Sequence, residues 1–310
     1  MTNLSHIQSR LQNIGAAIAR IEQNVATGEA PPSVVAMRWT LEKQQRTLER
    51  RFLEEADSRG IDVCSYRLLS ETKSATVLGL SYAMADFQRM LSVVYDAIKN
   101  GPQRDRGRIS AESAEQSTLN FGYSFAGSVG LVFTVPNERL LLGESGLDQS
   151  IRLIFEMVYA RDSAEMASFA QTLGSPAIRS LDRWAEHLVA HNLGVGIEWR
   201  RGQEIRKSIQ AQTQELQRLR SVIDETSGET TEHLSIIGKL VDANFARKRF
   251  QLEVPEAEDV HGTFTDAIGP EHEASVPHLY KAILIKTTKV LYSMDRDEVS
   301  YFLERLEPPG

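Results

Sequence analysis

The sequence predicts an α+β multidomain chain: an N-terminal antiparallel helical (coiled-coil) hairpin, an α+β middle domain with a mostly antiparallel sheet, and a small C-terminal β-barrel. Three observations carry this reading. From Leu4 to Val25 apolar residues recur at intervals of three and four, the period of a helix that buries one narrow stripe. Between Gly60 and Arg201 short alternating runs interleave with amphipathic ones, the pattern of an antiparallel sheet with helices on one face. From Leu234 to Leu306 short alternating runs follow one another with no helical period, as in a small closed barrel. The expected boundaries are 1–59, 60–201, 202–231 (a long helix and linker) and 232–310.

In the first helix Leu4, Ile7, Leu11, Ile14, Ile18, Ile21 and Val25 form an a/d row, flanked by Gln8, Arg10, Gly15 and Ala17. A globular helix usually needs a wider stripe than this. Thr27 to Pro32 stops the helix, and Ser33 can cap the next. A second helix over 34–58 carries Val34, Met37, Leu41, Leu48 and Phe52, with Gln44 and Arg51 interrupting its seam. The short connection suits a hairpin. The row Leu4–Val25 is therefore expected to oligomerise the protein, and packing of both helices on the rest of the chain is the alternative.

A strand is predicted at Ile61–Tyr66 and a helix over 75–100, with Leu80, Met84, Phe87, Leu91, Val94 and Ile98 on one face. The polar stretch 101–117 reads as a loop. Two strands follow, at Leu119–Phe125 and Val129–Val135, with Ala126-Gly127-Ser128 as their turn. Helices are predicted over 147–160, 163–173 and 176–191, the last with Pro176 at its first position. Val195–Trp199 returns as a strand. Ile205, Ile209, Gln212, Leu216, Leu219 and Ile223 keep a heptad over 203–225, read as a third long helix, and Thr226–Thr231 has linker composition.

In the last segment Phe250, Leu252 and Val254 alternate with Arg249, Gln251 and Glu253, and further runs lie at 235–241, 260–264, 279–287 and 299–303. The rhythm of Ile237-Gly238-Lys239-Leu240, Arg249-Phe250-Gln251-Leu252 and Val260-His261-Gly262-Thr263-Phe264 resembles the small OB- or SH3-like barrels that end many uncharacterised bacterial proteins. The resemblance implies a barrel and a bacterial origin, with a multi-gene, defence-type system as a conceivable setting. It carries no catalytic residue over.

Few motifs point to chemistry. One cysteine among 310 residues, Cys64, excludes an internal disulfide and multi-cysteine metal sites. It reads as a small buried strand residue. The stretch Gly101 to Arg108 lacks the Gly-Lys-Ser/Thr ending of a phosphate loop. Gly122-Tyr123-Ser124-Phe125-Ala126 brushes a serine-hydrolase elbow, but a second strand follows where a helix is required. His187 and His191 share a helix face without a third metal ligand. No catalytic residue, cofactor or metal is assigned, and interaction is favoured over catalysis. An enzyme site around Tyr123, Ser124, Glu198 and Trp199 ranks third. No signal pattern opens the chain and no apolar run is long enough to cross a bilayer, so the expected compartment is the cytoplasm, with no membrane partner.

Basic residues cluster in three places: Arg38, Lys43, Arg46, Arg50 and Arg51; Arg200-Arg201 with Arg206-Lys207; and Arg247-Lys248-Arg249 beside Phe245 and Phe250. Aromatic rings among cations suit single-stranded nucleic acid. The chain carries a net charge of −7, however, and residues 232–310 hold 9 basic and 14 acidic side chains, a balance of −5. A barrel with that balance repels a polyanion unless its charges are segregated. The leading expectation is a non-enzymatic oligomeric scaffold or adaptor that presents its other domains to a protein partner. The alternative is a nucleic-acid-binding protein using the barrel and basic helix faces through Arg46, Arg50, Arg247, Lys248 and Arg249.

Overall fold

The computed structural model describes residues 4–27, 31–70, 76–102, 108–125, 129–140, 143–255, 257–264, 276–292 and 298–308. Among these the chain is mixed α+β, with eight helices and two sheets, and divides into two compact units, Met1–Glu225 and Thr226–Gly310. The expected turn Ala126–Ser128 lies outside the described residues.

The first unit opens with helices α1 (Leu4–Ala26) and α2 (Pro32–Ser58), the latter starting at a proline whose missing N–H costs nothing in the first turn. Its sheet contains β1 (Ile61–Ser70), β2 (Asn120–Phe125), β3 (Gly130–Pro136), β4 (Leu193–Arg201) and β5 (Glu204–Ala211), in the order β2-β3-β1-β4-β5 with every pairing antiparallel. The other helices are α3 (Val77–Asn100), α4 (Ala111–Gln116), α5 (Gly146–Val158), α6 (Ser163–Leu173), α7 (Ser175–Ala190) and α8 (Thr213–Glu225). The central strand β1 shows how the layers are built. Cys64, Tyr66 and Leu68 point to one face, where the Tyr66 hydroxyl accepts from Trp184 Nε1 of α7 at 3.0 Å and its ring lies 5.2 Å from Phe87 of α3. Val63 points to the other face and joins a cluster of Leu4, Ile7 and Leu11 from α1, Leu48, Phe52 and Ala56 from α2, and Tyr123 and Val132. One sheet therefore holds helices on both faces, with period-two alternation sorting its side chains between them.

Three segments differ from the sequence reading. Residues 204–211 form strand β5, not the start of a long helix; the helix begins at Thr213. Ile205 and Ile209 lie four apart, the spacing of a helix, but in the strand a bulge at Arg206 puts Ile205, exposed, opposite Arg200 and Ile209, buried, opposite Ile197, on different faces, so their spacing does not choose between helix and strand. Gly202, at φ +56°, decides between them by turning the chain back so that β5 pairs with β4. The supposed linker is also a strand: Ser227 opens a run to Asn244, of which residues 227–240 pair residue for residue with the strand ending at Leu291. Within the predicted loop 101–117, Ser110 caps the short helix α4.

The second unit is a closed barrel of β6 (Ser227–Asn244), β7 (Arg249–Glu253), β8 (Val260–Phe264), β9 (His278–Leu291) and β10 (Glu298–Glu307). The first strand pairs with the second and the fourth, and the third closes the ring against the fifth in parallel. That is the OB strand order, whereas an SH3-like barrel runs as an antiparallel meander. Leu240, Phe250, Leu252, Val260, Phe264, Ala282, Leu284 and Leu303 fill the interior. Among the described residues no helix is long and apolar enough to cross a membrane.

Candidate nucleic-acid interface

β6 passes to β7 through Phe245, Ala246, Arg247 and Lys248. The turn is set locally: Asn244 Oδ1 accepts the Arg247 backbone N–H at 2.9 Å, and Lys248 takes a left-handed conformation at φ +52°. Lys248 O then accepts the Phe264 N–H at 3.1 Å, tying the turn to the end of β8. The Phe245 ring stands edge-on to Phe264, with centroids 5.3 Å apart, yet 43% of the residue is exposed. Arg249, the first residue of β7, is exposed and sits opposite Thr263. Arg247 and Arg249 form no ion pair among the described residues. At the far end of the same ribbon lie Glu253, Glu258 and Asp259, with Asp259 accepting from Gln251 Nε2 at 3.2 Å. These three carboxylates lie at the opposite end of the ribbon from Arg247–Arg249, while Asp242 and Glu304, both exposed, lie nearer the turn. Phe250, in contrast, is core.

Arg46 and Arg50 belong to a different surface. Trp39, Lys43, Arg46 and Arg50, spaced four, three and four apart, line a cavity of about 630 Å³ along α2. Trp39 is 74% exposed. The two arginines also wall a second cavity of about 630 Å³, whose floor is the sheet face carrying Arg67 and Arg200. Arg200 is held by Glu198 at 2.7 Å, and the Arg67 guanidinium lies 5.2 Å over the Phe125 ring. In the other basic cluster, Arg201 is absorbed structurally. Arg201 binds both Asp148, at 2.7 Å, and Asp62, at 3.2 Å.

No protein-family model, curated protein or solved structure matches this chain.

The oligomerisation row is occupied from within. Leu4, Ile7, Leu11, Ile18 and Ile21 are buried in the single chain, Ile14 is half-buried against the same cluster as Leu11, and Val25 alone of the seven is exposed. Glu22 meets Arg38 of α2 at 3.0 Å. Tyr123 and Glu198 both line the sheet cavity, but Trp199 points to the opposite face and Ser124 is exposed on β2, so the four do not converge. Burial pushes the Tyr123 phenol and the Cys64 thiol above their ordinary pKa values, which opposes thiolate formation at Cys64. His187 Nδ1 hydrogen-bonds Asp86, while Tyr82 stacks on His187 at 4.3 Å. Among the described residues no three His, Cys, Asp or Glu side chains come together to hold a metal.

Sequence reasoning missed Asp62, Arg67 and Trp39. Asp62 is fully buried, and its carboxylate accepts from Asn137 (2.6 Å), Arg139 (2.7 Å), Trp199 (3.0 Å) and Arg201. Burial is the largest single effect on its pKa and raises it. The hydrogen bonds from Arg201, Asn137, Trp199 and Arg139 together outweigh burial and hold the carboxyl below its usual range. The spacing of Trp39, Lys43, Arg46 and Arg50 was the signal for the α2 stripe.

Proposed function

We propose that this protein binds single-stranded nucleic acid through the basic end of its barrel. The observation that carries the reading is the turn 245–249, where an exposed phenylalanine ring stands among Arg247, Lys248 and Arg249. In OB barrels the second and third strands and the first loop form the surface that meets oligonucleotides. In this chain those are β7, β8 and that turn, so the analogy of fold and the local chemistry coincide on the same residues. Base stacking on Phe245 and neutralisation of phosphates by the three cations supply affinity without sequence preference. Self-association through Leu4–Val25 would require α1 to leave the core it fills, and the geometry favours it less.

Fluorescence anisotropy on the full chain, with labelled DNA and RNA oligonucleotides of about ten nucleotides, tests the reading. Replacing Arg247, Lys248 and Arg249 together by alanine should weaken binding about a hundredfold or more, and Phe245→Ala about tenfold. Absence of binding at low salt rejects the proposal.

A further inference from the structure

The sheet of the first unit is covered unequally. On the face where Val63 joins the α1–α2 cluster, helices lie over β2, β3 and the start of β1. The other half of that face stays open: Arg67 of β1 is exposed, as is β5 from Glu204 to Ser208. The second cavity occupies the step between the helical wall and this open floor. Its depth comes partly from Gly196. In the register Gly196 stands between Arg67 of β1 and Gln210 of β5, and a Cβ added there would meet only the Arg67 Cβ, at 4.0 Å.

Cations enter this space from two directions, Arg46 from the helix and Arg67 and Arg200 from the strands. Arg46 and Arg67 have no carboxylate partner among the described residues, in a chain whose net charge is −7. Planar guanidinium forks left without an acid match the geometry of a phosphate. At the rim, Tyr159 is 51% exposed, and its hydroxyl is pinned by the edge-strand backbone. It accepts from the Gln210 N–H at 3.1 Å and donates to the Gln210 carbonyl at 3.4 Å. A fixed, exposed ring beside guanidinia without carboxylate partners can stack a nucleobase while its phosphate is neutralised. The volume lies within the range of ordinary small-molecule sites.

We infer that this groove binds a nucleotide, its phosphate held by Arg46 and Arg67 and its base set against Tyr159. The site lies in the other unit from the barrel turn and does not depend on it. The nucleotide has two possible sources, a free mononucleotide or one residue of a strand.

Isothermal titration of the full chain with inorganic phosphate, AMP, ADP and a short oligouridine tests the inference. Two variants accompany the wild type: Arg67→Ala, which removes a phosphate ligand, and Gly196→Leu, which fills the floor without changing charge. Their thermal midpoints serve as folding controls. Saturable binding of AMP or ADP that weakens at least about tenfold in both variants, and survives alanine at 247–249, supports a free nucleotide. Loss of oligouridine binding in the groove variants, without mononucleotide binding, supports a strand. The inference is overturned if none of the probes binds, if Gly196→Leu leaves binding unchanged, or if inorganic phosphate binds as tightly as ADP.

Discussion

Replacing Asp62 by asparagine keeps its shape and removes its charge, at a point where β1, β4 and the start of α5 are joined. The carboxylate is fully buried and receives two guanidinium groups, an amide and an indole N–H. Asparagine offers one acceptor oxygen and turns an NH₂ group toward donors, so at least one arginine loses its partner. Breaking a buried ion pair in this way costs about 3–5 kcal/mol. Here the side chains of Arg201 and Arg139 remain 20% and 30% exposed, and Arg201 keeps Asp148 at 2.7 Å. Water and Asp148 offset part of the loss, leaving roughly 2–3 kcal/mol at pH 7. The pH dependence has a definite sign. The folded carboxyl titrates below its unfolded value of about 3.9, so its stabilisation is present in full above that pH and is lost as pH falls through the folded value. The asparagine variant has no such term, so the gap from wild type should narrow below about pH 4. Urea titrations at neutral and acid pH, followed by tryptophan fluorescence, measure this directly, since all three tryptophans lie in the first unit. A loss under about 0.5 kcal/mol at pH 7, or a gap that stays constant into acid, would refute the reasoning.

Oligonucleotide binding through Arg247, Lys248 and Arg249 should weaken with salt at a logarithmic slope of about −2, roughly sixteenfold from 50 to 200 mM. Arg249→Ala should flatten that slope by about 0.7, and a slope near zero would contradict phosphate contact. Trp184 and Trp199 are buried and Trp39 is exposed, so acrylamide should quench Trp39 selectively and Trp39→Phe should shift the remaining emission to the blue. Phe52 is fully buried, with its ring 5.3 Å from Tyr123; Phe52→Ala should cost about 3–5 kcal/mol in urea unfolding. Cys64 should react with a thiol reagent only as fast as the first unit opens, and immediate labelling of native protein would contradict its burial.

The barrel was legible because alternation of apolar and polar residues survives wherever one face of a strand is buried. Its strand order was not, since neighbours such as β8 and β10 are far apart in the chain and nothing local encodes their parallel closure. The row on α1 illustrates a different limit. Periodicity shows that one side of a helix is buried but not what buries it, and the narrow stripe meets this chain's own Phe52, Tyr123 and Val132. Ile205 and Ile209 kept a helical spacing that the bulge at Arg206 conceals within a strand, and the turn at Gly202 is what marks the strand. The cations at 247–249 were visible as a run, whereas Arg67 gained its meaning only when the pairing of β1 with β4 placed Gly196 beside it. Asp62 stayed hidden because both faces of β1 are buried at its start, where Asp62, Val63 and Cys64 are all interior, and an alternating pattern does not reveal this.

The α1 row has a consequence for the groove. Leu4, Ile7 and Leu11 are part of what seats α2, and α2 supplies Arg46 and Arg50, so the wall is only as steady as that row. Any guest that needs the wall in place must favour the seated form over one in which the first helix has peeled away. At a hundredfold excess over its dissociation constant it would do so by about 2.7 kcal/mol. Amide hydrogens of α1, which touch no guest, should then exchange with solvent up to about a hundred times more slowly in its presence.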